Sequence, residues 1–255
     1  MGWSLVVVSL IVLWIALYGK FFTHHHRALS KRNVLLVVAH PDDESMFFSP
    51  TINYLISRGH NLYIFAFQLV MLLSLICNAD GIGNTRKQEF YQLVPLQQVK
   101  VLDHPDLQDG FGKVWDHELL AKIIEEEVSS HGIDMIITFD NYGVSGHCNH
   151  RDVHHGVCRL LHNVSKRSVE AWELTSTCIL RKYSGPVDIW LSMLLPLRYA
   201  DGMTHCLLNE HPRKSFHAMA EHSSQWIWFR KLFVSFSSYT YVNTLRKIKE
   251  EVKKS

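Results

Sequence analysis

Apolar runs alternate with amphipathic stretches along most of the chain, and the alternation itself predicts the fold. Val34–Val38 is a continuous β-branched and leucine run of the kind that a strand buried on both faces requires. A helix is predicted over Met46–Ser57, and a second strand over Asn61–Phe67 after the Arg58-Gly59 turn. Leu119, Leu120, Ile123, Ile124 and Val128 share one face of a helix predicted at Glu118–Ser130, with Glu125, Glu126 and Glu127 partly solvated. Ile133–Phe139 is a third apolar strand, residues 152–161 read as helical, and 214–250 mixes helical pattern with aromatics. Strand following helix predicts an α/β fold, a Rossmann-like, mostly parallel sheet with helices on both faces.

Two apolar stretches break the pattern. Residues 2–19 carry no charge and are followed by Lys20, Arg27, Lys31 and Arg32. This predicts a membrane anchor over 1–19, a transmembrane helix at the short limit for crossing a bilayer, and a basic linker over 20–33. The positive-inside rule then keeps the domain at 34–250 cytosolic. The second stretch, Leu62–Cys77, is almost wholly apolar, interrupted by Gln68 and Ser74, and is too long for one strand. It fits a strand plus a buried helix, or a re-entrant membrane segment. Trp226–Phe236 reads as core packing with a solvated basic edge, lipid contact being the alternative.

Composition adds limits rather than an activity. A formal charge of +2 gives no reason to expect a nucleic-acid partner. Five scattered cysteines without a C-x-x-C pair predict free thiols in a reducing compartment.

The chemistry gathers at two strand ends. The first strand runs into His40-Pro41-Asp42-Asp43-Glu44, and ligands in open α/β sheets bind at the carboxyl ends of strands. Three adjoining carboxylates repel one another unless a cation or shared protons relieve the charge, which favours a metal site over a helix cap. The strand ending at Phe139 leads to Gly143–His150, whose glycines suit a site loop and which carries His147 and His150. His150 and His154 share a helical face at i, i+4, a spacing seen in zinc sites. A hydrolytic zinc needs three protein ligands and one open position, and the two clusters together hold enough donors.

Together Ala39–Glu44 and Gly146–His150 resemble the LmbE-type zinc de-N-acetylase family. The likeness extends through most of residues 34–245, including Asn78–Lys87, Thr138-Phe139-Asp140, Ser224-Gln225-Trp226 and Trp228-Phe229-Arg230. The resemblance implies that His40, Asp43 and His150 bind Zn2+, that Asp42 takes a proton from the attacking water, and that His147 stabilises the tetrahedral intermediate or protonates the departing amine. Glu44 would orient the loop. Arg86 and Asp109 are weaker candidates for contacting sugar or phosphate. The branch of the family that matches implies removal of the acetyl group from N-acetylglucosaminyl-phosphatidylinositol, a membrane lipid of the endoplasmic reticulum. That placement agrees with a single-pass anchor and a cytosolic catalytic domain. The chain departs from the family pattern at Val70–Cys77, an apolar insertion, and near Phe90–Pro95, a shortening of about two helical turns. These departures leave open an inactive zinc-binding variant with an interaction role; a deacetylase of a soluble GlcNAc conjugate, for which the anchor would be superfluous, is the other alternative.

Overall fold

Asn33–Val38 forms β1, the strand on which the molecule is organised. Its side chains alternate between two cores, Val34, Leu36 and Val38 on one face and Leu35, Val37 and Ala39 on the other. Only a strand covered on both faces can be apolar at every position. The computed structural model describes residues 31–67, 98–108, 113–163, 169–198, 203–221 and 226–249. Residues 31–255 form one compact unit.

After β1 come α1 (Asp43–Phe47), α2 (Ser49–Ser57), β2 (Asn61–Ala66) and β3 (Val99–Val101). Next are α3 (His117–His131), β4 (Met135–Phe139), α4 (Cys148–Asn163) and β5 (Glu170–Leu174). The last part contains α5 (Ile179–Lys182), α6 (Asp188–Arg198), β6 (Thr204–Leu208), α7 (Pro212–Glu221), α8 (Trp228–Phe236) and β7 (Val242–Lys247). The sheet order is β3-β2-β1-β4-β5-β7-β6. The first five strands run parallel, and β7 is antiparallel to both its neighbours. α3 and α4 cover one face, packing Leu120, Ile124, Val153 and Val157 against it. α1 and α2 cover the other, where Phe47, Phe48 and Ile52 meet Phe139 and Tyr239.

The order places a switch point between β1 and β4, where connections leave in opposite directions and open a crevice at the strand ends. Register across that junction is Val34↔Met135, Leu35↔Ile136 and Leu36↔Ile137, so both carboxyl ends finish level. α3 begins where the Asp116 carboxylate accepts the Glu118 N–H at 2.9 Å, and it stops at left-handed Gly132.

The predicted α/β architecture and the elements before residue 162 are present, with ends moved by a few residues. Helix 152–161 begins earlier, at Cys148, so His150 lies inside it. Strands β3, β5 and β6 were not anticipated, the helix predicted over Met46–Ser57 is divided at Phe48 into α1 and α2, and the mixed 214–250 region resolves into α7, α8 and β7. β5 and β7 carry charged residues at Glu170, Glu173, Arg246 and Lys247, which hides their strand character. Those charges are used pairwise across the strands, Arg246 on Glu173 and Lys247 on Glu170. The expected anchor over 1–19, its linker up to residue 30, and the apolar run from residue 68 to Cys77 lie outside the described residues. Among the described residues no helix is long and apolar enough to cross a membrane.

Candidate metal centre and active site

The chain turns sharply at the end of β1. Asp42 has φ 145°, a left-handed conformation that costs a non-glycine residue on the order of 1–3 kcal/mol and that clusters at functional sites. Glu44, fully buried, holds the turn: one carboxylate oxygen accepts the Asp42 N–H at 2.9 Å and the other the Ser45 hydroxyl at 2.7 Å. The orienting role expected of Glu44 thus has a direct geometric counterpart. Asp43 likewise accepts the His40 N–H at 2.8 Å.

Across the switch point, Asp140 organises the second loop. Its Oδ1 accepts the N–H groups of Tyr142 and Gly143 and the Ser176 hydroxyl, while Oδ2 accepts the Ser176 N–H at 2.7 Å. One buried carboxylate therefore ties the end of β4 to the segment after β5. In the turn Gly143–Gly146, Val144 adopts φ 66°. Its carbonyl accepts a 2.6 Å hydrogen bond from the Lys182 ammonium, which also donates to the Ser145 hydroxyl at 2.8 Å. Burial lowers the Lys182 pKa.

These two loops bring His40, Asp43 and His150 together. All three are buried, and one potential ligand atom from each lies within 4.8 Å of the others. His150 Nε2 stands 3.2 Å from Asp43 Oδ1, while its Nδ1 is paired with the Gly143 carbonyl at 3.1 Å. A carbonyl only accepts, so that bond assigns a proton to Nδ1 and turns Nε2, the other ring nitrogen, towards Asp43. His40 Nδ1 lies 3.5 Å from Asp43 Oδ2. Burial alone would raise the Asp43 pKa, but the charge and hydrogen bonds of His150, then those of His40, hold its carboxyl well below the usual range. Two imidazoles and an ionised carboxylate, converging and buried, are a suitable donor set for a divalent metal.

His147 is exposed at the mouth, its ring stacked on His150 with centroids 4.6 Å apart and 5.1 Å from the His40 ring. Asp42 lies beside the triad and pairs with the Arg230 guanidinium from α8. Burial brings the Arg230 pKa down to about 10, which still leaves it charged at neutral pH.

The structure thus gathers five of the expected residues, His40, Asp42, Asp43, His147 and His150. Arg86 and Asp109 lie outside the described residues. His154 does not join the triad despite its i, i+4 spacing. Its Nδ1 bonds the Phe139 carbonyl at 3.0 Å and sits 3.4 Å from Glu173, and its Nε2 faces the Cys158 thiol. Arg230 was missed, since a basic residue among aromatics reads as a solvated edge. Asn149 was also missed: it is fully buried, with its amide 3.3 Å from His40 Nε2. Asp140 stood only within the Thr138-Phe139-Asp140 likeness, with no role attached, and Lys182 gave no sequence signal beyond its polarity.

A family model described as GlcNAc-PI de-N-acetylase matches residues 35–161. A probable N-acetylglucosaminyl-phosphatidylinositol de-N-acetylase of Dictyostelium discoideum is 31% identical, over 87% of this chain and 95% of its own. The N-acetylglucosaminyl-phosphatidylinositol de-N-acetylase of Bos taurus is 34% identical, over 83% of this chain and 81% of its own. Among solved structures, the zinc-inhibited form of teicoplanin deacetylase Orf2 superposes with a TM-score of 0.59 at 13% identity, covering 88% of this chain and 100% of that one. N,N'-diacetylchitobiose deacetylase from Pyrococcus horikoshii gives 0.58 at 12% identity, covering 85% and 84%. Those two likenesses establish the shared fold. The relatives establish the rest: the chain belongs to the N-acetylglucosaminyl-phosphatidylinositol de-N-acetylase family.

Proposed function

We propose that the chain hydrolyses the N-acetyl amide of N-acetylglucosaminyl-phosphatidylinositol, releasing acetate and leaving the glucosaminyl lipid. The observation that carries this reading is the buried convergence of His40, Asp43 and His150 beside Asp42. Family membership supplies the substrate. His40, Asp43 and His150 would hold the metal, which we take to be Zn2+. When bound, such an ion polarises a carbonyl and lowers the pKa of water towards about 7.

The protein's own groups do the remainder. Asp42 takes a proton from the water that adds to the acetyl carbon, and the Glu44 and Arg230 contacts fix its position. His147 at the mouth donates to the developing oxyanion, or delivers the proton to the amine nitrogen as the C–N bond breaks. Asn149 and the Gly143 carbonyl hold the two histidine rings. Arg86 and Asp109 remain proposed contacts for sugar or phosphate. We place the domain in the cytosol at the endoplasmic-reticulum membrane, anchored through 1–19 and the basic linker 20–33, with the catalytic domain over 34–250.

The test is acetate release from acetyl-labelled N-acetylglucosaminyl-phosphatidylinositol by the full chain in detergent. Release that falls about 100-fold or more in Asp42→Asn, stops on chelation and returns with zinc is the expected result. Metal-replete wild-type protein without release would leave an inactive metal-binding variant as the better reading. Turnover confined to soluble GlcNAc conjugates would change the substrate but keep the chemistry.

A further inference from the structure

We propose that α5, α6 and α8 together form a surface that rests on the bilayer and delivers the lipid to the catalytic mouth, an inference that rests on the lipid-linked substrate proposed above. These helices expose an unusual amount of apolar area. Leu180 is 82% exposed and Trp228 72%, and Trp190, Leu194, Leu232 and Phe236 are each between 43% and 58%. Monomeric soluble domains seldom leave so many large side chains in water on neighbouring elements.

The elements adjoin one another. The Tyr183 ring, just past α5, meets Phe233 of α8 edge-on at 6.1 Å. Gly185, in the link to α6, sits against the Phe236 carbonyl, within 3.6 Å of where a Cβ would stand. In α8 only Val234 is fully buried, so a nine-residue helix turns most of its aromatic surface outward. The expectation that Trp226–Phe236 packs into the core with a solvated basic edge thus holds for Phe233 and Val234 but not for the exposed Trp228, Phe229, Leu232 and Phe236.

Three features select a phospholipid surface over a second protein. Between Ile179 and Arg198, and again between Trp226 and Phe236, the one acidic residue is Asp188. Asp188 is buried and doubly bonded by Arg181 at 2.6 and 3.1 Å, so it shows no charge to a partner. Lys231 is left at this face with its ammonium over the Trp226 ring, which matches anionic headgroups. Trp190, Trp228 and Tyr183 are the residue types that favour the headgroup boundary. Finally, α8 is continuous with the site, because Arg230 of the same helix pairs with Asp42. A lipid with acyl chains beneath α8 would present its sugar at the metal centre without leaving the membrane.

The experiment uses the full chain reconstituted into vesicles of phosphatidylcholine and phosphatidylinositol. A fluorescent residue replaces Leu180, Trp190, Trp228 or Leu232 in turn, with Val114 and Ile56 as exposed controls elsewhere. Quenching by nitroxide-labelled phospholipids at the four positions, and little at the controls, is expected. Leu180→Glu with Leu232→Glu should lower turnover of vesicle-borne lipid roughly tenfold or more, while turnover of the deacylated, water-soluble headgroup stays within about twofold. Absence of quenching overturns the surface, whatever the activity, and so does cross-linking of these positions to a second copy or to another part of the chain. Wild-type protein inactive on both substrates instead overturns the deacetylase reading, and the quenching still judges the surface independently.

Discussion

Arg230 and Asp42 form an ion pair between the surface helix α8 and the turn after β1, with the carboxylate almost wholly shielded from water. Removing one partner of such a pair strands the other charge in a poorly solvated place. Arg230→Met should therefore cost on the order of 3 kcal/mol. The penalty should shrink in the Arg230→Met, Asp42→Asn double variant, since the stranded charge is then gone. Chemical denaturation of the four proteins in detergent measures the coupling. Strictly additive losses would show that the pair is not formed in solution.

Lys182 is expected to act on catalysis through the second loop. Its ammonium secures the carbonyl of strained Val144 and the Ser145 hydroxyl, three residues and two residues before His147. Lys182→Met should lower acetate release about tenfold or more by displacing His147, because small misplacements are costly in rate. Metal content, read by elemental analysis, should stay at the wild-type level because His40, Asp43 and His150 are held by other bonds.

Gly143 should not tolerate a methyl group. Its φ is +64°, and an added Cβ would lie 2.7 Å from the Cβ of His150. Gly143→Ala must move either the turn or the ligand helix. Loss of bound metal together with a lower melting temperature is the expected pairing, whereas a wild-type metal content would contradict the described turn.

His154 gives a pH signature separate from the metal ligands. Burial lowers its pKa from 6.5 to about 4, partly offset by the bond to the Phe139 carbonyl. Between those two values the unfolded chain binds a proton that the folded protein refuses. Stability should therefore be lost as the pH falls from about 6.5 to about 4, by up to about 3 kcal/mol from this group. Burial raises the pKa of neighbouring Glu173, which slopes the other way, so the comparison must be between wild type and His154→Gln. The variant should have the flatter profile over that window.

The sequence revealed the central strands and the charged cluster after β1 because each rests on a local rule, while the choice of His40, Asp43 and His150 came from the family resemblance. Val34–Val38 is apolar on both faces, and His40 to Glu44 puts charges where an α/β sheet keeps its ligands. Lys182, Asp140 and Arg230 obey no such rule. Each has a partner that the fold brings from 36 or more residues away, Val144, Ser176 and Asp42 respectively. β5 and β7 were hidden for the same reason: their charges cancel across the ladder, and a single strand shows only half of each pair. His154, whose spacing alone was weak evidence and which was not among the expected ligands, bonds the Phe139 carbonyl instead.

The level pairing of β1 with β4 has a consequence for how this protein can vary. His40 and Asp43 hang from one strand end and His150 from the helix that follows its neighbour, so the distance between them is set by a ladder rather than by the chain that joins them. Changes of length in that long connection leave the spacing of the three side chains to the β1–β4 ladder. Recognition of the sugar lipid and possession of the metal centre can thus diverge independently, and a related chain can exchange one while keeping the other.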